Sequence, residues 1–283
     1  MVTPVLPLDG RRIGVTADRR WQEQADLLTK RGAEVVHGPT LRTIDLSSSD
    51  ALRAATESVV ERPPDVLVAT TGMGLRMWLE AAGAWGCRAE LDRALAGATV
   101  VARGAKAASA ARAAGLVPAW QAPHETMDEI VEHLDTEGVS SQRVALQLFD
   151  PAAHSSTEAL RGLAEELVEL PVYQWELPAD TGPARRLIAA TVAGELDAVT
   201  FTSQPAVRQL FAIAEDQPGG STSLRAAFNG SVTASCVGSV CAAAAREMGI
   251  ERILWPEPPR LVAMVRQLEA ALAPPTGESP GES

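Results

Sequence analysis

Several residue types are scarce in this chain, and each scarcity removes a class of function. Cysteine occurs three times, at Cys87, Cys236 and Cys241. None of these spacings matches a zinc ribbon or a redox CxxC pair, so a reduced cytosolic home is expected and no metal site is predicted. Basic residues number 25 against 36 acidic ones, a formal charge of -11. That leaves no broad basic surface to neutralise a phosphate backbone, and nucleic-acid binding is not expected. Long apolar runs are also missing. The longest small or apolar stretch, SVTASCVGSVCAAAA at 231–245, ends at Arg246 and falls short of the roughly 18 residues that a spanning helix needs. The N-terminal MVTPVLPLDGRR has no basic region followed by an apolar one, so neither a secretory signal nor a membrane anchor is read there.

The familiar catalytic and cofactor patterns are absent too. There is no GxxxxGK[ST] loop, no GxSxG elbow and no HExxH pair. GMGLRM at Gly72 begins like a dinucleotide fingerprint, but Met77 stands where the third glycine belongs. His37, His124, His133 and His154 are scattered and form no ligand pattern. No cofactor is expected. The six tryptophans fall where core packing explains them. Among the bases only Lys30 and Lys106 are lysine; a bias toward G and C in the coding sequence accounts for most of the arginine, although guanidinium is also the better fork for carboxylates.

What is present is a chain of 283 residues, 46% hydrophobic and 22% charged, enough for two domains of roughly 100 to 150 residues each. Short β-branched runs alternate with Ala-rich helical stretches, which predicts an α/β fold with parallel strands and crossover helices. Strands are expected at 12–16, 34–38, 65–70, 99–103, 143–149, 169–173, 197–202 and 231–237. The polar, Pro- and Gly-rich residues 274–283 read as a disordered tail.

An internal repeat organises these elements. The block from Gly10, GRRIGVTADRRWQEQADLLTKRGAEVVHGPTLRTI, matches SQRVALQLFDPAAHSSTEALRGLAEELVELPVYQWELP from Ser141. DVLVATTGMGLRMWLEAA at Asp65 matches DAVTFTSQPAVRQLFAIA at Asp197, and TVVARGAKAASAARAAGL at Thr99 matches SVTASCVGSVCAAAAREMGI at Ser231. Two similar parallel-sheet domains are therefore expected, with a ligand cleft between them. In open parallel sheets ligands lie beyond the carboxyl ends of strands, where helix N-termini offer N–H groups to anions. Those ends are Thr70-Thr71-Gly72, Arg103-Gly104-Ala105, Thr202-Ser203-Gln204 and Val237-Gly238-Ser239. Taken singly, each could be an ordinary N-cap or a tight turn. Four recurring at equivalent places favour an anion-binding site.

These blocks together resemble uroporphyrinogen-III synthase. The likeness is carried by RGAEVVHGPTLRTI, by VYQWELP, by FTSQPAVRQLF at Phe201 and by SCVGSVCAAAAREMG at Ser235, and it extends from residue 10 to about 272. The resemblance implies two α/β domains joined by two linker strands, the first made of 1–41 with 176–273 and the second of 42–175, with the crossings at Pro39 to Ile44 and Pro171 to Pro178. It implies a cofactor-free enzyme that cyclises hydroxymethylbilane with inversion of the last pyrrole ring and loss of water; a monomer is expected because no long unpaired apolar helix face stands out. Tyr173, the single tyrosine, occupies the position of the family's candidate acid. Thr202, Ser203, Gly238 and Ser239 match its hydroxyl pair and Gly-containing turn, and Thr70 and Thr71 fill the equivalent place in the other domain. TTGMGLRMW departs from the family's Ser-Pro-x-Ala-Val pattern, LFDPAAH lacks the expected Gly-rich turn, and Cys241 replaces Thr. The pattern is similar to an actinobacterial branch in which such a domain can be fused to a DNA-binding module, so an anion-sensing regulatory relative is the second reading. A two-lobed periplasmic-type receptor is the third, disfavoured by the missing signal.

Overall fold

A computed structural model describes residues 6–148 and 154–273. The expected tail at 274–283, the first residues of the N-terminal segment and most of the turn in LFDPAAH lie outside them. Along the chain run β1 (Arg12–Val15), α1 (Trp21–Thr29), β2 (Glu34–His37), β3 (Arg42–Asp45), α2 (Asp50–Glu61), β4 (Val66–Ala69), α3 (Gly72–Ala84), α4 (Arg88–Leu95), β5 (Thr99–Ala102), α5 (Ala105–Ala113), β6 (Pro118–Gln121) and α6 (Met127–Glu137). After a short 3-10 turn at Val139–Ser141 come β7 (Arg143–Gln147), α7 (His154–Leu163), β8 (Glu166–Leu170), β9 (Tyr173–Glu176), α8 (Gly182–Val192), β10 (Ala198–Phe201), α9 (Gln204–Glu215), α10 (Gly220–Asn229), β11 (Thr233–Cys236), α11 (Ser239–Glu247), β12 (Ile253–Leu254) and α12 (Leu261–Leu272).

The chain divides into two compact units, one of Met1–Arg42 with Glu176–Ser283 and the other of Thr43–Trp175. Each contains a five-stranded sheet whose described pairings are all parallel: β12-β11-β10-β1-β2 in the first and β6-β5-β4-β7-β8 in the second. The linker strands β3 and β9 pair with each other as a separate two-stranded sheet. Burial on both faces is why the central strands are continuously apolar and short. VLVA of β4 and AVTF of β10 are buried throughout. In the second unit one face packs on Trp78, Leu75 and Leu91 and the other on Ile130, Leu134 and Leu160. In the first unit the two faces pack on Phe201, Phe211 and Phe228, and on Ile13, Leu28 and Val265.

The repeat is visible atom by atom. The Asp197 carboxylate accepts from the Arg12 N–H at 2.9 Å, and Asp65, its counterpart, accepts from the Arg143 N–H at 2.8 Å. Arg12 pairs with Glu34 at 3.2 Å, and Arg143 with Glu166 at 3.1 Å. The hydrogen bond from Arg143, reinforced by Arg62, holds the Glu166 carboxyl below the usual carboxylate range despite its burial. Equivalent strands take equivalent places, but each repeat contributes its first two sheet strands to one unit and its last three to the other.

Four strands depart from the expected list, among them β3, which only the family resemblance implied as a linker. The strand placed at 169–173 is two elements, β8 and β9, broken at Pro171, which cannot donate a ladder hydrogen bond. The edge strands β6 and β12 were not anticipated. The first opens on Pro118, and the second is only two residues long. Proline is tolerated at the start of an edge strand because no neighbour needs its N–H.

Candidate functional site

In each sheet the chain order reverses direction at the centre, between β4 and β7 in one unit and between β10 and β1 in the other. At such a reversal the loops leave the strand ends in opposite directions and open a crevice, the default ligand position of a doubly wound sheet. Thr70-Thr71-Gly72 follows β4 and Thr202-Ser203-Gln204 follows β10, so two of the four expected junctions stand at reversal points. Arg103-Gly104-Ala105 and Val237-Gly238-Ser239 follow β5 and β11, one strand further out.

The β4 end is the most elaborated. Thr71 is the N-cap of α3, its Oγ1 accepting from the Gly74 N–H at 3.1 Å. Gln147, the last residue of β7 and fully buried, donates from Nε2 to the same Thr71 oxygen at 2.8 Å, and its Oε1 accepts from the Thr71 N–H at 3.4 Å. Thr70 Oγ1 donates to the Gln147 carbonyl at 2.8 Å. The Tyr173 hydroxyl from β9 reaches Thr71 Oγ1 at 3.3 Å, with the ring packed in the core at 8% exposure. The structure thus brings Thr70, Thr71 and Tyr173 together and adds Gln147, which the sequence analysis did not single out. A polar residue ending the otherwise apolar strand RVALQ was the available signal.

Glycine at 72 and 74 has a spatial cause. A Cβ at Gly72 would lie 2.3 Å from the Lys106 carbonyl oxygen of α5, and one at Gly74 would lie 2.0 Å from Gln147 Nε2. The GMG pattern that begins like a nucleotide fingerprint is therefore explained by helix packing and by room for a buried amide.

The other junctions are plainer. Ser203 caps α9, accepting from the Ala206 N–H at 3.4 Å, with Thr202 and Gln204 half-buried on either side. Thr16 holds the place of Gln147 in the first unit and donates to the Thr200 carbonyl at 2.8 Å. At β5 the Arg103 N–H donates to the Ala69 carbonyl at 2.9 Å, and the Ala105 N–H at the start of α5 donates to the Glu125 carboxylate at 3.0 Å. A side-chain carboxylate from the protein itself already sits on that helix terminus. It is held over Gly104, whose Cβ would come within 2.6 Å of Glu125 Cδ. At β11 the Val237 N–H donates to the Phe201 carbonyl at 2.9 Å, Pro259 packs over Gly238, and Ser239 is exposed at the first turn of α11. Close approach of the following loop accounts for both Gly104 and Gly238.

The histidines have structural partners. His37 stacks on Trp21 with ring centroids 4.0 Å apart, His133 stacks on Trp120 at 4.1 Å, and His124 Nδ1 bonds Glu129 at 2.7 Å. The side chain of His154 is outside the described residues. Burial pushes the Glu129 carboxyl up, but hydrogen bonds from the His124 ring, from Thr126 and from the His124 N–H outweigh it and hold the group at about 2. A hydrogen bond to Cys241 together with burial pushes the Cys236 thiol up. Among the described residues no group of three or more His, Cys, Asp or Glu is arranged to hold a metal ion, and no helix is long and apolar enough to cross a membrane.

Comparison with known proteins gives a consistent result. The family model described as uroporphyrinogen-III synthase HemD matches residues 22–266. A solved mutant uroporphyrinogen III synthase from the extremely thermophilic bacterium Thermus thermophilus is 31% identical, covering 93% of this chain and 99% of its own, with a TM-score of 0.75. The wild-type form of that enzyme superposes with a TM-score of 0.67 at 30% identity, covering 93% of this chain and 98% of its own. YjjA of Bacillus subtilis (strain 168), an uncharacterized protein, is 28% identical over 92% of this chain and 95% of its own length. With the family model spanning most of its length and the same two-domain α/β fold, the chain belongs to the uroporphyrinogen-III synthase family.

Proposed function

We propose that the protein is a catalytically active uroporphyrinogen-III synthase, a lyase that closes hydroxymethylbilane into uroporphyrinogen III. The observation that carries this reading is the Tyr173 hydroxyl in contact with Thr71 at a sheet reversal point, in a chain 31% identical to the Thermus enzyme over 93% of its length. A phenolic hydroxyl can donate a proton, which suits a general acid.

In this reading Tyr173 gives its proton to the terminal hydroxyl of the linear substrate, the C–O bond breaks, and water leaves an electrophilic azafulvene. The substituted carbon of the distant ring attacks it, the resulting spiro intermediate fragments and recloses, and the proton lost on rearomatisation restores the phenol. The substrate is a polycarboxylate and the protein carries a charge of -11, so long-range attraction does not assist binding. Local donors supply the attraction instead: main-chain N–H groups and hydroxyls near Thr70-Thr71-Gly72, Thr202-Ser203-Gln204 and Val237-Gly238-Ser239, and the Arg103 side chain beside Gly104 and Ala105, where Glu125 already takes the helix N–H.

Incubation with freshly prepared hydroxymethylbilane tests the proposal, because uncatalysed closure gives isomer I and the enzyme gives isomer III. Isomer I alone, at the uncatalysed rate, refutes it.

A further inference from the structure

The crevice at the reversal point of the first unit has two rims. One is the Thr202-Ser203-Gln204 junction after β10, and the other is the loop Asp18-Arg19-Arg20 after β1, the strand across the reversal. The helices they lead into lie on opposite faces of the sheet, α9 on the side of Phe211 and α1 on the side of Leu28. In a chain of charge -11 the second rim carries two adjacent arginines. Both are exposed, with Asp18 half-buried before them.

One imidazole grips this loop at both ends. His37, the last residue of β2, bonds the Ala17 carbonyl through Nε2 at 2.8 Å and stacks on Trp21 with the ring planes 11° apart. A carbonyl oxygen only accepts, so Nε2 carries a hydrogen. Further along α1, buried Gln24 donates to Thr200 Oγ1 of β10 at 2.6 Å and ties the helix to the neighbouring strand. Between these fixed points the backbone at Arg20 is left-handed, with φ 55°. Among the described residues only one other that is not glycine, Glu125, adopts this conformation. Glycine would take it with less strain, and such outliers concentrate where a side chain is held for a ligand. The Arg20 guanidinium pairs with Glu23 at 2.6 Å, an exposed pair of the weak kind that a substrate carboxylate can replace.

We propose that Arg19 and Arg20 bind carboxylates of the substrate at this rim and that His37 is the positioning residue that holds the loop for them. This rests on the polycarboxylate substrate proposed above. Guanidinium presents paired donors that match a carboxylate, and a loop held in advance loses little freedom when the ligand arrives.

Uroporphyrin III, a stable fluorescent octacarboxylate, probes the rim without turnover. Its Kd, from fluorescence titration of the full-length protein, is expected to rise about 5- to 20-fold in Arg19→Gln and in Arg20→Gly, the loss of one partly exposed charge-assisted contact. KM for hydroxymethylbilane should follow. Lys30→Gln, at the other end of α1, removes the same charge and should leave Kd within about twofold. Arg20→Gly also relieves the left-handed backbone, so its urea midpoint should not fall while binding weakens. His37→Phe keeps the stack and His37→Gln keeps a donor for Ala17; each should raise Kd about 2- to 5-fold, and His37→Ala, without either grip, by more. Kd unchanged in both arginine variants, or raised equally in Lys30→Gln, overturns the carboxylate rim. Kd unchanged in all three His37 variants overturns the positioning role. Weakened probe binding by the arginine variants of a protein that forms no isomer III supports the rim and refutes the synthase reading, so the two failures are distinguishable. A parent protein that binds neither uroporphyrin III nor hydroxymethylbilane overturns both.

Discussion

Alanine in place of Gly72 and, separately, in place of Gly83 adds the same methyl group to two points of α3 with opposite expected effects. At Gly83 the helix is exposed and nothing lies within 4 Å of the new Cβ. Only the backbone entropy term changes, and the variant should gain about 0.5–1 kcal/mol. At Gly72 the new Cβ would lie 2.3 Å from the Lys106 carbonyl oxygen and 2.9 Å from its carbon, against an ordinary contact of 3.4 Å or more. The obstacle is α5 backbone, which cannot swing aside as a side chain can. Overpacking of this kind costs about 1–3 kcal/mol, more than the small propensity gain at a first helical position returns. The two variants should therefore differ by about 1.5–4 kcal/mol. With a urea m-value of about 2–3 kcal/mol/M, that is a separation of roughly 1 M between their unfolding midpoints. Equilibrium urea unfolding followed by circular dichroism measures it. A Gly72→Ala midpoint at or above that of the parent would refute the claim that close helix approach dictates this glycine.

Tyr173→Phe should lower turnover by about 10²- to 10⁴-fold without abolishing it, read by separating isomers I and III; full retained activity removes the acid role. The Glu129 carboxyl, at about 2 in the folded chain against an ordinary 4.5, contributes stability that is fully present above pH 4.5 and is lost as pH falls toward 2. Glu129→Gln should flatten the stability-against-pH curve in that window, and an unaltered slope in urea titrations at stepped pH would count against it. Alkylation of the native protein should label half-buried Cys87 and spare Cys236 and Cys241, because the Cys236 thiol is pushed up and both are buried. Mass spectrometry showing equal labelling at all three would refute the protection.

The sheets were legible in the sequence because parallel strands buried on both faces are mostly apolar, and VLVA and AVTF do not alternate as half-exposed strands would. Of the edges, β2 was legible but β6 and β12 were not, the first opening on proline and the second only two residues long. Tyr173 was legible as the lone tyrosine beside a proline-bounded strand. Gln147 was not: its neighbour Thr71 lies 76 residues away, and no local pattern connects a strand-ending amide to a helix glycine. In the sequence the hydroxyls at Thr71 and Ser203 fit caps and ligands equally, and the structure shows the caps directly.

The crossing of repeats between units has a consequence for how the chain can be divided. A break at the 3-10 turn Val139–Ser141 would separate the two duplicated halves cleanly in sequence, yet each fragment would hold two strands of one five-stranded sheet and three of the other. Neither piece can close a layer by itself. The two together supply every strand once, so severed halves must either recombine or stay unfolded, and an undoubled forerunner of this polypeptide would have had to trade strands with a second copy of itself.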